Sequence, residues 1–383
     1  MVRDPSPLVA GGSGRRLTVA VLAPSRYPVA EPYLGGLESF VGGLVDGLRA
    51  RGHRVLLFAA AGSTGAQPEL LAGGGWRPDE LARADPSMPA EAFLREHHAH
   101  LAVLAALRTT YAGEVDVVHN NSLHYLPVSL SSTLPFPTVT TLHTPPTPWL
   151  TSALDAGGSS HTFTAVSRFT ARQWAPWVPR AEVVHNGVDP ERWTLGPGGA
   201  GLLWFGRLVP EKAPHLAIAA AAAAGRHLHL VGPALDAEYF ATRIEPHLGH
   251  GATWHGHLGG RTLAQAVGRA DAVLVTPAWD EPFGQVAAEA AMCGTPVVAF
   301  DRGGVSEVLR PHVGEQVGVV VPDADVEAMA AAIGPATALD RRAVRAAALS
   351  HLSAQAMVGR YEAVLRAAAA DGPVTDHVRV AAS

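Results

Sequence analysis

The sequence of 383 residues has one cysteine, Cys293, and few charged side chains, which make up 16% of the chain. A lone cysteine forms no disulfide within the chain and builds no cysteine-rich zinc or iron–sulfur site. The 29 Lys and Arg residues do not outnumber the 34 Asp and Glu residues, so the net charge is −5. A nucleic-acid-binding protein normally carries a basic stripe, and that class is therefore disfavoured.

Long apolar runs are also missing. No uninterrupted run approaches the ~20 residues that a transmembrane helix needs. Arg15 and Arg16 precede an apolar run over residues 17–23, as in a secretion signal, but the run is short and fits a buried strand better. Because apolar residues nonetheless make up 48% of the chain, it can build a sizeable core. We expect a soluble, cytoplasmic protein.

Short β-branched runs alternate with helical stretches along the chain, a pattern typical of parallel sheets with right-handed crossovers. The first series of predicted strands covers residues 17–23, 53–59, 115–119, 138–143, 162–166 and 182–185. The second covers residues 202–205, 228–231, 272–276, 296–300 and 317–321, with helices over 213–224, 284–292, 305–309 and 326–333. The pattern predicts an α/β fold of two Rossmann-like domains with a cleft between them.

Gly- and Pro-rich segments set the predicted domain boundaries. We place a flexible leader at 1–16, an N-terminal domain at 17–187 and a linker at 188–200. A C-terminal domain follows at 201–352, and residues 353–383 form a final helix. That helix either stays with the second domain or packs back on the first, since periodicity does not decide between the two.

The stretch from Glu281 to Pro296 carries the clearest chemistry. It leaves a strand, opens a helix near Phe283, Gly284 and Gln285, and ends that helix before the next strand. Backbone N–H groups at a helix start are unpaired, so they can bind a phosphate. Glu289 lies about 8 Å further along the helix axis, so Glu281 and Glu289 bracket that phosphate, and carboxylates suit the hydroxyls of a sugar nucleotide.

Glu289 has an alternative interpretation as a core carboxylate satisfied by a neighbour. A buried charge is costly unless it is paired, and the surrounding helix is nearly all Ala and Val, so we favour contact with a ligand. Arg207 and Lys212 follow the first strand of the second series. Two cations at the same cleft edge would stabilise a departing diphosphate, although taken alone such a pair is usually just solvated.

These motifs together resemble the retaining GT-B glycosyltransferases of family 4, and the resemblance covers nearly the whole chain in the right order. It is carried by Gly206-Arg207-Leu208 with Pro210-Glu211-Lys212, Glu281-Pro282-Phe283-Gly284 with Glu289, Asn186-Gly187-Val188-Asp189, Gly35-Gly36 with Glu38, and Arg51-Gly52-His53. The resemblance implies a GT-B fold with the nucleotide sugar bound mainly to the C-terminal domain. It also implies that no metal and no other cofactor is needed.

The resemblance further implies a role for each matching residue. Arg207 and Lys212 are expected to bind the diphosphate, and Glu289 is expected to bind the ribose. Glu281 is expected to contact the donor sugar, with the backbone of Phe283 and Gly284 beside it. Gly35 and Gly36 are expected to form a loop that faces the phosphates. His143 matches a position beside the reacting sugar. The implied reaction transfers a sugar with retention of configuration at the anomeric carbon, by front-face displacement. A UDP-sugar is the favoured donor, and a GDP-sugar is the second choice. The acceptor is a hydroxyl of a small molecule, lipid or glycan.

Several residues have two interpretations from sequence. Ser167 and Arg168 either line the cleft or cap a helix, and His143 is either a residue of the reaction site or a structural histidine in a Pro-rich loop. Asn186, which follows a strand end, is a candidate cleft residue. Asp325 is expected to be an N-cap and not half of a metal-binding Asp-x-Asp with Asp323. The histidines at 97, 98 and 100 do not match a zinc spacing, and we expect them on a solvated helix face.

Two other function classes stay open at this point. A similar two-domain scaffold also suits an epimerase or phosphorylase, and a sugar-nucleotide-binding protein without catalysis would keep part of the same site. The presence of Arg207, Lys212, Glu281, Glu289 and His143 together favours an enzyme. The Ala-rich composition suits a bacterial genome of high GC content, so a natural-product glycoside is as plausible an acceptor as a polysaccharide or lipid.

Overall fold

The computed structural model describes residues 15–33, 35–66, 76–157, 162–310 and 316–372. They form two six-stranded parallel sheets, ordered β2-β1-β3-β4-β5-β6 and β12-β11-β10-β7-β8-β9. The first sheet consists of β1 (Thr18–Leu22), β2 (Arg54–Phe58), β3 (Val117–Asn120), β4 (Thr138–Leu142), β5 (Thr162–Ala165) and β6 (Ala181–Val183). The second consists of β7 (Leu202–Phe205), β8 (Leu228–Val231), β9 (Ala252–Trp254), β10 (Ala272–Val275), β11 (Val297–Phe300) and β12 (Gly318–Val321).

Helices cover both faces of each sheet. Those that follow strands of the first sheet are α1 (Gly36–Ala50), α2 (Glu80–Ala84), α3 (Glu91–Arg108), α4 (Leu126–Ser129), α5 (Pro148–Gly157) and α6 (Arg168–Trp174). Those of the second are α7 (Pro214–Ala223), α8 (Ala237–Tyr239), α9 (Gly260–Arg269), α10 (Gln285–Met292), α11 (Val305–Leu309), α12 (Val326–Thr337), α13 (Arg341–Leu352) and α14 (Ala354–Asp371). The prediction of two Rossmann-like α/β domains is confirmed; we call them the N-terminal and C-terminal domains.

The central strands are buried on both faces, which is why they are continuous apolar runs in the sequence. The predicted bounds of β7 and β8 are confirmed, and the other predicted strands differ from the structure by one or two residues at an end. The prediction missed β9, a three-residue strand at a sheet edge whose Ala-Thr-Trp sequence is only partly buried. A short edge strand lacks the apolar run that identifies an interior one.

Helix α14 crosses back from the C-terminal domain to the N-terminal domain. Its side chains Met357, Val358, Tyr361, Val364 and Leu365 are buried in the same cluster as Phe40 and Leu44 of α1. Gly47 permits the close approach of the two helices, because a Cβ there would lie 2.4 Å from Val358 Cγ2. Beside this contact, Arg51 and His53 pair with Glu362 at 2.5 and 3.1 Å.

The two chain crossings between the domains lie side by side. Val188 N donates to Leu352 O at 2.7 Å, and Ala354 N donates to Val188 O at 2.9 Å. At the other end of the chain, Arg15, which we predicted in the leader, donates to Asp116 Oδ1 at 2.6 Å. Residues 1–14, with the Gly-rich segment 11–14, lie outside the described residues. Among the described helices, none has the length and apolar character needed to cross a bilayer.

Replacing Leu365 with Ala should lower the free energy of unfolding by about 2–5 kcal/mol, because the leucine is fully buried in the N-terminal core. Urea unfolding followed by circular dichroism measures the loss. Leu349→Ala is the matched control, since Leu349 of α13 is 39% exposed and should lose far less. Equal losses in the two variants would show that α14 does not pack as described.

Candidate functional site

Loops at the carboxyl ends of both sheets meet in the cleft between the domains, where ligands bind in open α/β folds. The start of α1 faces the start of α10: a Cβ on Gly36 would lie 3.5 Å from Gln285 Cβ. Asn186, at the end of the first domain, donates from Nδ2 to Gln285 Oε1 at 3.4 Å, and its buried Oδ1 has no partner in the described part of the chain. The structure therefore brings Gly35, Gly36, Asn186 and Gln285 together.

The start of α10 depends on Gly284. This residue is the N-cap with φ +100°, a left-handed conformation that favours glycine, so α10 begins at Gln285 and not at Gly284 as predicted. Ala287 N donates to Gly284 O at 3.0 Å, and the Phe283 side chain is buried beneath the turn. The N–H groups of Gln285 and Val286, which precede that hydrogen bond, have no partner within the helix, and unpaired N–H groups at a helix start suit an anion.

Lys212 and Glu281 form an ion pair with each other. Trp279 Nε1 donates to the same Glu281 Oε2 at 3.0 Å, and Lys212 Nζ lies 5.0 Å from the centre of the Trp279 ring. Lys212 ends a 3₁₀ turn, and the following Ala213 is left-handed at φ +44° while its carbonyl accepts from Thr276 Oγ1 at 3.0 Å. The structure thus fixes Lys212 beside Glu281 at the entrance of α10.

Arg207 lies on the same side of the cleft and pairs with Glu211 at 3.5 Å. Its guanidinium also acts across the cleft on Glu38 of α1, whose side chain is buried. Burial raises the pKa of Glu38, and the charges of Arg207 and Arg26 oppose that rise. Both predicted diphosphate-binding cations therefore have carboxylate partners in this structure.

Glu289 is held by one long hydrogen bond among the described residues, from Gln285 Nε2 at 3.5 Å. Burial raises the pKa of Glu289 to about 7, against the lowering effects of that hydrogen bond and of Arg192. A contact of 3.5 Å is at the limit for a hydrogen bond. Glu289 is therefore poorly satisfied by its neighbours, as expected for a carboxylate that accepts from a ligand.

His143 follows β4 and contacts Asn121, which follows β3, and Phe40 of α1. Its Nε2 donates to Asn121 Oδ1 at 3.0 Å, so Nδ1 is the nitrogen with the free lone pair, and its ring meets Phe40 edge-on at 4.8 Å. Burial, with a smaller effect of His119, lowers the pKa of His143 to about 3, so the imidazole is neutral. Sequence reasoning missed Asn121, whose one signal was its place after a strand end.

A narrow pocket opens beside His143 in the N-terminal domain. It is mainly apolar, and it is lined by Ser122, Leu123, Val128, Thr140, Thr141, Leu142, His143, Thr144, Leu150, Leu154, Phe163 and Trp174. Leu142, His143 and Thr144 contribute consecutive residues to this lining, whereas Trp149 is 54% exposed. Tyr125 lies outside the lining and stacks on His124, with the ring centres 4.5 Å apart.

Ser167 caps a helix, as one of its two interpretations predicted, and it also contacts the other domain. Its Oγ caps α6 by accepting from Thr170 N at 3.0 Å, and it also donates to Pro282 O at 2.5 Å in the other domain. Arg168 contributes its backbone N–H, which donates to Glu307 Oε2 at 2.9 Å. Sequence reasoning missed Glu307, which lies in α11, three residues after the Gly303-Gly304 pair that precedes this helix.

The expectation of a solvated face for the histidines of α3 is wrong. His100 is buried and stacks on His124 at 4.2 Å, and His97 Nδ1 hydrogen-bonds the Tyr125 hydroxyl at 2.9 Å. The loop after β3 covers this face of the helix, a contact that periodicity does not reveal. The expectation for Asp325 is confirmed, since it caps α12 by accepting from Ala328 N at 2.8 Å, while Asp323 pairs with Arg302 at 3.1 Å.

His119 should make the protein less stable in mild acid. Burial lowers the pKa of His119 to about 3, whereas an unfolded histidine titrates near 6.5. The unfolded state therefore binds the extra proton below pH ~6.5, and stability is present above that pH and lost as the pH falls toward 3. Between pH 7.5 and 5.5, His119→Gln should lose about 1.4 kcal/mol less stability than the wild type.

Urea unfolding at the two pH values measures this difference. His257→Gln, a change at an exposed histidine, is the control and should keep the wild-type pH dependence. If His119→Gln lost as much stability as the wild type, the buried neutral state of His119 would be disproved.

Comparisons with known proteins agree over both domains. The family model of Glycosyltransferase Family 4 matches residues 34–192, and that of Glycosyl transferases group 1 matches residues 191–346. The chain is 35% identical to a glycogen synthase of Mycobacterium tuberculosis over 171 residues, 42% of this chain and 40% of that protein. It is 31% identical to a D-inositol 3-phosphate glycosyltransferase of Mycolicibacterium gilvum over 210 residues, 49% of this chain and 46% of that protein. The alignments thus span less than half the length of these relatives.

Solved structures resemble the chain over nearly its full length. AviGT4, a glycosyltransferase involved in avilamycin A biosynthesis, superimposes with a TM-score of 0.66 at 27% identity, covering 93% of this chain and 98% of its own. Sucrose-phosphate synthase from Thermosynechococcus elongatus superimposes with a TM-score of 0.72 at 20% identity, covering 93% of this chain and 100% of its own. The second likeness concerns the fold alone.

Proposed function

We propose that this chain, which belongs to glycosyltransferase family 4 and has the GT-B fold, transfers a sugar from a nucleoside-diphosphate sugar to a hydroxyl acceptor. The observation that carries the proposal is the meeting of Lys212, Glu281 and the start of α10 at one edge of the cleft. Cations, a helix start and carboxylates there match the charge pattern of a sugar nucleotide. We name residues 279–284 the donor loop.

In the proposed complex, the diphosphate displaces the carboxylate partners of Arg207 and Lys212. The start of α10 and the loop at Gly35 and Gly36 then meet the phosphates from two sides. Glu281, released from Lys212, accepts from hydroxyls of the donor sugar, and Glu289 accepts from the ribose. No step requires a metal, because Arg207 and Lys212 supply the positive charge that the leaving diphosphate needs.

The proposed reaction retains the configuration at the anomeric carbon. The acceptor oxygen bonds to that carbon on the face from which the phosphate oxygen departs, and the departing phosphate takes the acceptor's proton. Fixed positive charge stabilises the diphosphate as its bond breaks. Because burial holds the pKa of His143 at about 3, its neutral ring orients the acceptor or the sugar by hydrogen bonding and does not act as an acid at pH 7.

The acceptor is proposed to bind beside His143, over the mouth of the pocket there, whose interior has room for about one water molecule. The walls of the pocket are mostly apolar, with threonine and serine hydroxyls between them, which suits a small molecule that has an apolar body and a few hydroxyls. The likeness to AviGT4 at 27% identity supports a natural-product glycoside. UDP-sugars are the first donors to test and GDP-sugars the second.

Calorimetric titration with UDP, GDP and ADP, each in EDTA, tests donor binding. A nucleotide present at about 100 times its dissociation constant should raise the free energy of unfolding by ~2.7 kcal/mol, which a thermal-shift measurement on the same samples detects. Because the pKa of Glu289 is about 7, its carboxylate should be available at pH 8 and largely protonated at pH 6. Affinity should then fall by up to about tenfold between these pH values.

Glu289→Gln should weaken binding and remove the protein's share of this pH dependence, while the nucleotide's own titration is common to both proteins. Glu245→Gln, an exposed carboxylate in the same domain, is the control. Binding that appears only after metal is restored, or binding of NAD alone, would contradict the proposed function and favour another class of enzyme.

His143→Ala should lower the turnover of sugar transfer by at least about tenfold, because the ring sits beside the acceptor pocket and not on the nucleotide. The dissociation constant of the nucleotide should change little. Initial rates of nucleotide release from UDP-glucose and GDP-mannose, with calorimetry on the same samples, separate the two effects. A variant with wild-type turnover would remove His143 from the site.

A further inference from the structure

A carboxylate of the C-terminal domain, that of Glu307, binds the first N–H groups of helix α6 of the N-terminal domain. Glu307 Oε2 accepts from Arg168 N at 2.9 Å, and Glu307 Oε1 accepts from Phe169 N at 2.7 Å. His185 Nε2 lies 3.2 Å from Glu307 Oε2 as a third partner. Burial would raise the pKa of Glu307, but the hydrogen bonds from His185, Arg168 and Phe169 outweigh it, and the net pKa is lowered.

The same helix also contacts the donor loop directly. Ser167 Oγ and Thr170 Oγ1 both donate to Pro282 O, at 2.5 and 3.1 Å. One turn further along α6, Gln173 Nε2 donates to Asp280 Oδ2 at 3.1 Å. Serine, threonine and glutamine of one domain thus fix the backbone and a side chain of the loop in the other.

The opposite side of the donor loop rests on the turn that begins α11. Gly304 N donates to Glu281 O at 2.7 Å. A Cβ on Gly303 would lie 2.1 Å from Glu281 O, and one on Gly304 would lie 2.5 Å from Pro282 O. The loop is therefore enclosed between α6 and α11, and Glu307 is the residue of α11 that ties these two helices to each other.

We propose that Glu307 is a positioning residue that couples the approach of the two domains to the shape of the donor loop. Three contacts connect these elements: α6 contacts Pro282 of the donor loop, Glu281 of that loop contacts Gly304 before α11, and Glu307 of α11 contacts α6. When the domains separate, α6 and its three side-chain contacts leave the loop together. The inference rests on the proposed function only in naming residues 279–284 the donor loop.

The experiment follows the donor loop and α6 in the whole 383-residue chain, without substrate and with its tryptophans replaced by 5-fluorotryptophan. The fluorine signal of Trp279 reports the loop, because its indole donates to Glu281, and Trp279→Phe assigns it. Hydrogen exchange of the Arg168 and Phe169 amides reports the hydrogen bonds between Glu307 and α6. Glu307→Gln keeps the side-chain shape but can accept only one of the two N–H bonds.

In Glu307→Gln, exchange of these amides should accelerate at least tenfold, and the Trp279 signal should shift or broaden. Glu245→Gln, the same change at an exposed site, should alter neither. Circular dichroism confirms that the variants are folded, and Glu307→Asp should restore part of the wild-type Trp279 signal.

Faster exchange with an unchanged Trp279 signal would show that Glu307 only caps α6, and unchanged exchange would show that it does not hold the helix; either result overturns the proposal. Nucleotide affinity is measured separately on the same variants. If the wild type bound no nucleotide, the proposed function would be contradicted. The coupling between Glu307 and residues 279–284 would still be tested by amide hydrogen exchange and by the fluorine signal of Trp279.

Discussion

The cleft depends on the burial of α14 in the core of the N-terminal domain. The chain leaves that domain at Val188 and returns at Ala354, and hydrogen bonds join the two crossings. Because Tyr361 and Leu365 are fully buried against the first domain, the crossing cannot shift without displacing a helix from its core. This end of the cleft is thus held by apolar packing, whereas the loops at the other end meet through polar contacts of their side chains.

Charge pairing in the cleft explains how one site can serve both the empty and the occupied state. Lys212 faces Glu281, and Arg207 faces Glu211. The exposed Arg207–Glu211 pair contributes little net stability, so the proposed diphosphate would replace its carboxylate at modest cost. In the proposed complex, the same exchange at Lys212 would free Glu281 to accept from the donor sugar beside it. The roles proposed for Lys212 and Glu281 are therefore two consequences of one ion pair.

Much of the fold and part of the site could be predicted from local sequence patterns. Interior strands such as β7 and β8 are continuous apolar runs, and the helix start at Gly284 follows from a glycine between a strand and an Ala-rich stretch. Contacts between distant segments could not be predicted in this way. Glu307 and Arg168 are 139 positions apart, and no periodicity relates them. The burial of His100 likewise depends on the loop after β3, which packs over a helix that is nearly as polar on one face as on the other.

The packing of α14 also reaches the proposed reaction centre. The ring of Phe40 meets Tyr361 of α14 at 5.6 Å and His143 at 4.8 Å, both edge-on. On the other side of Tyr361, His119 begins a row of hydrogen bonds across three strands, through Thr141 to Thr164, each 2.8 Å long. A buried imidazole keeps one orientation only when its surroundings are rigid. Helix α14, which packs on the N-terminal domain after the second crossing, therefore also restrains the ring of His143 through Phe40. The arrangement of the domains and the position of this imidazole depend on the same core.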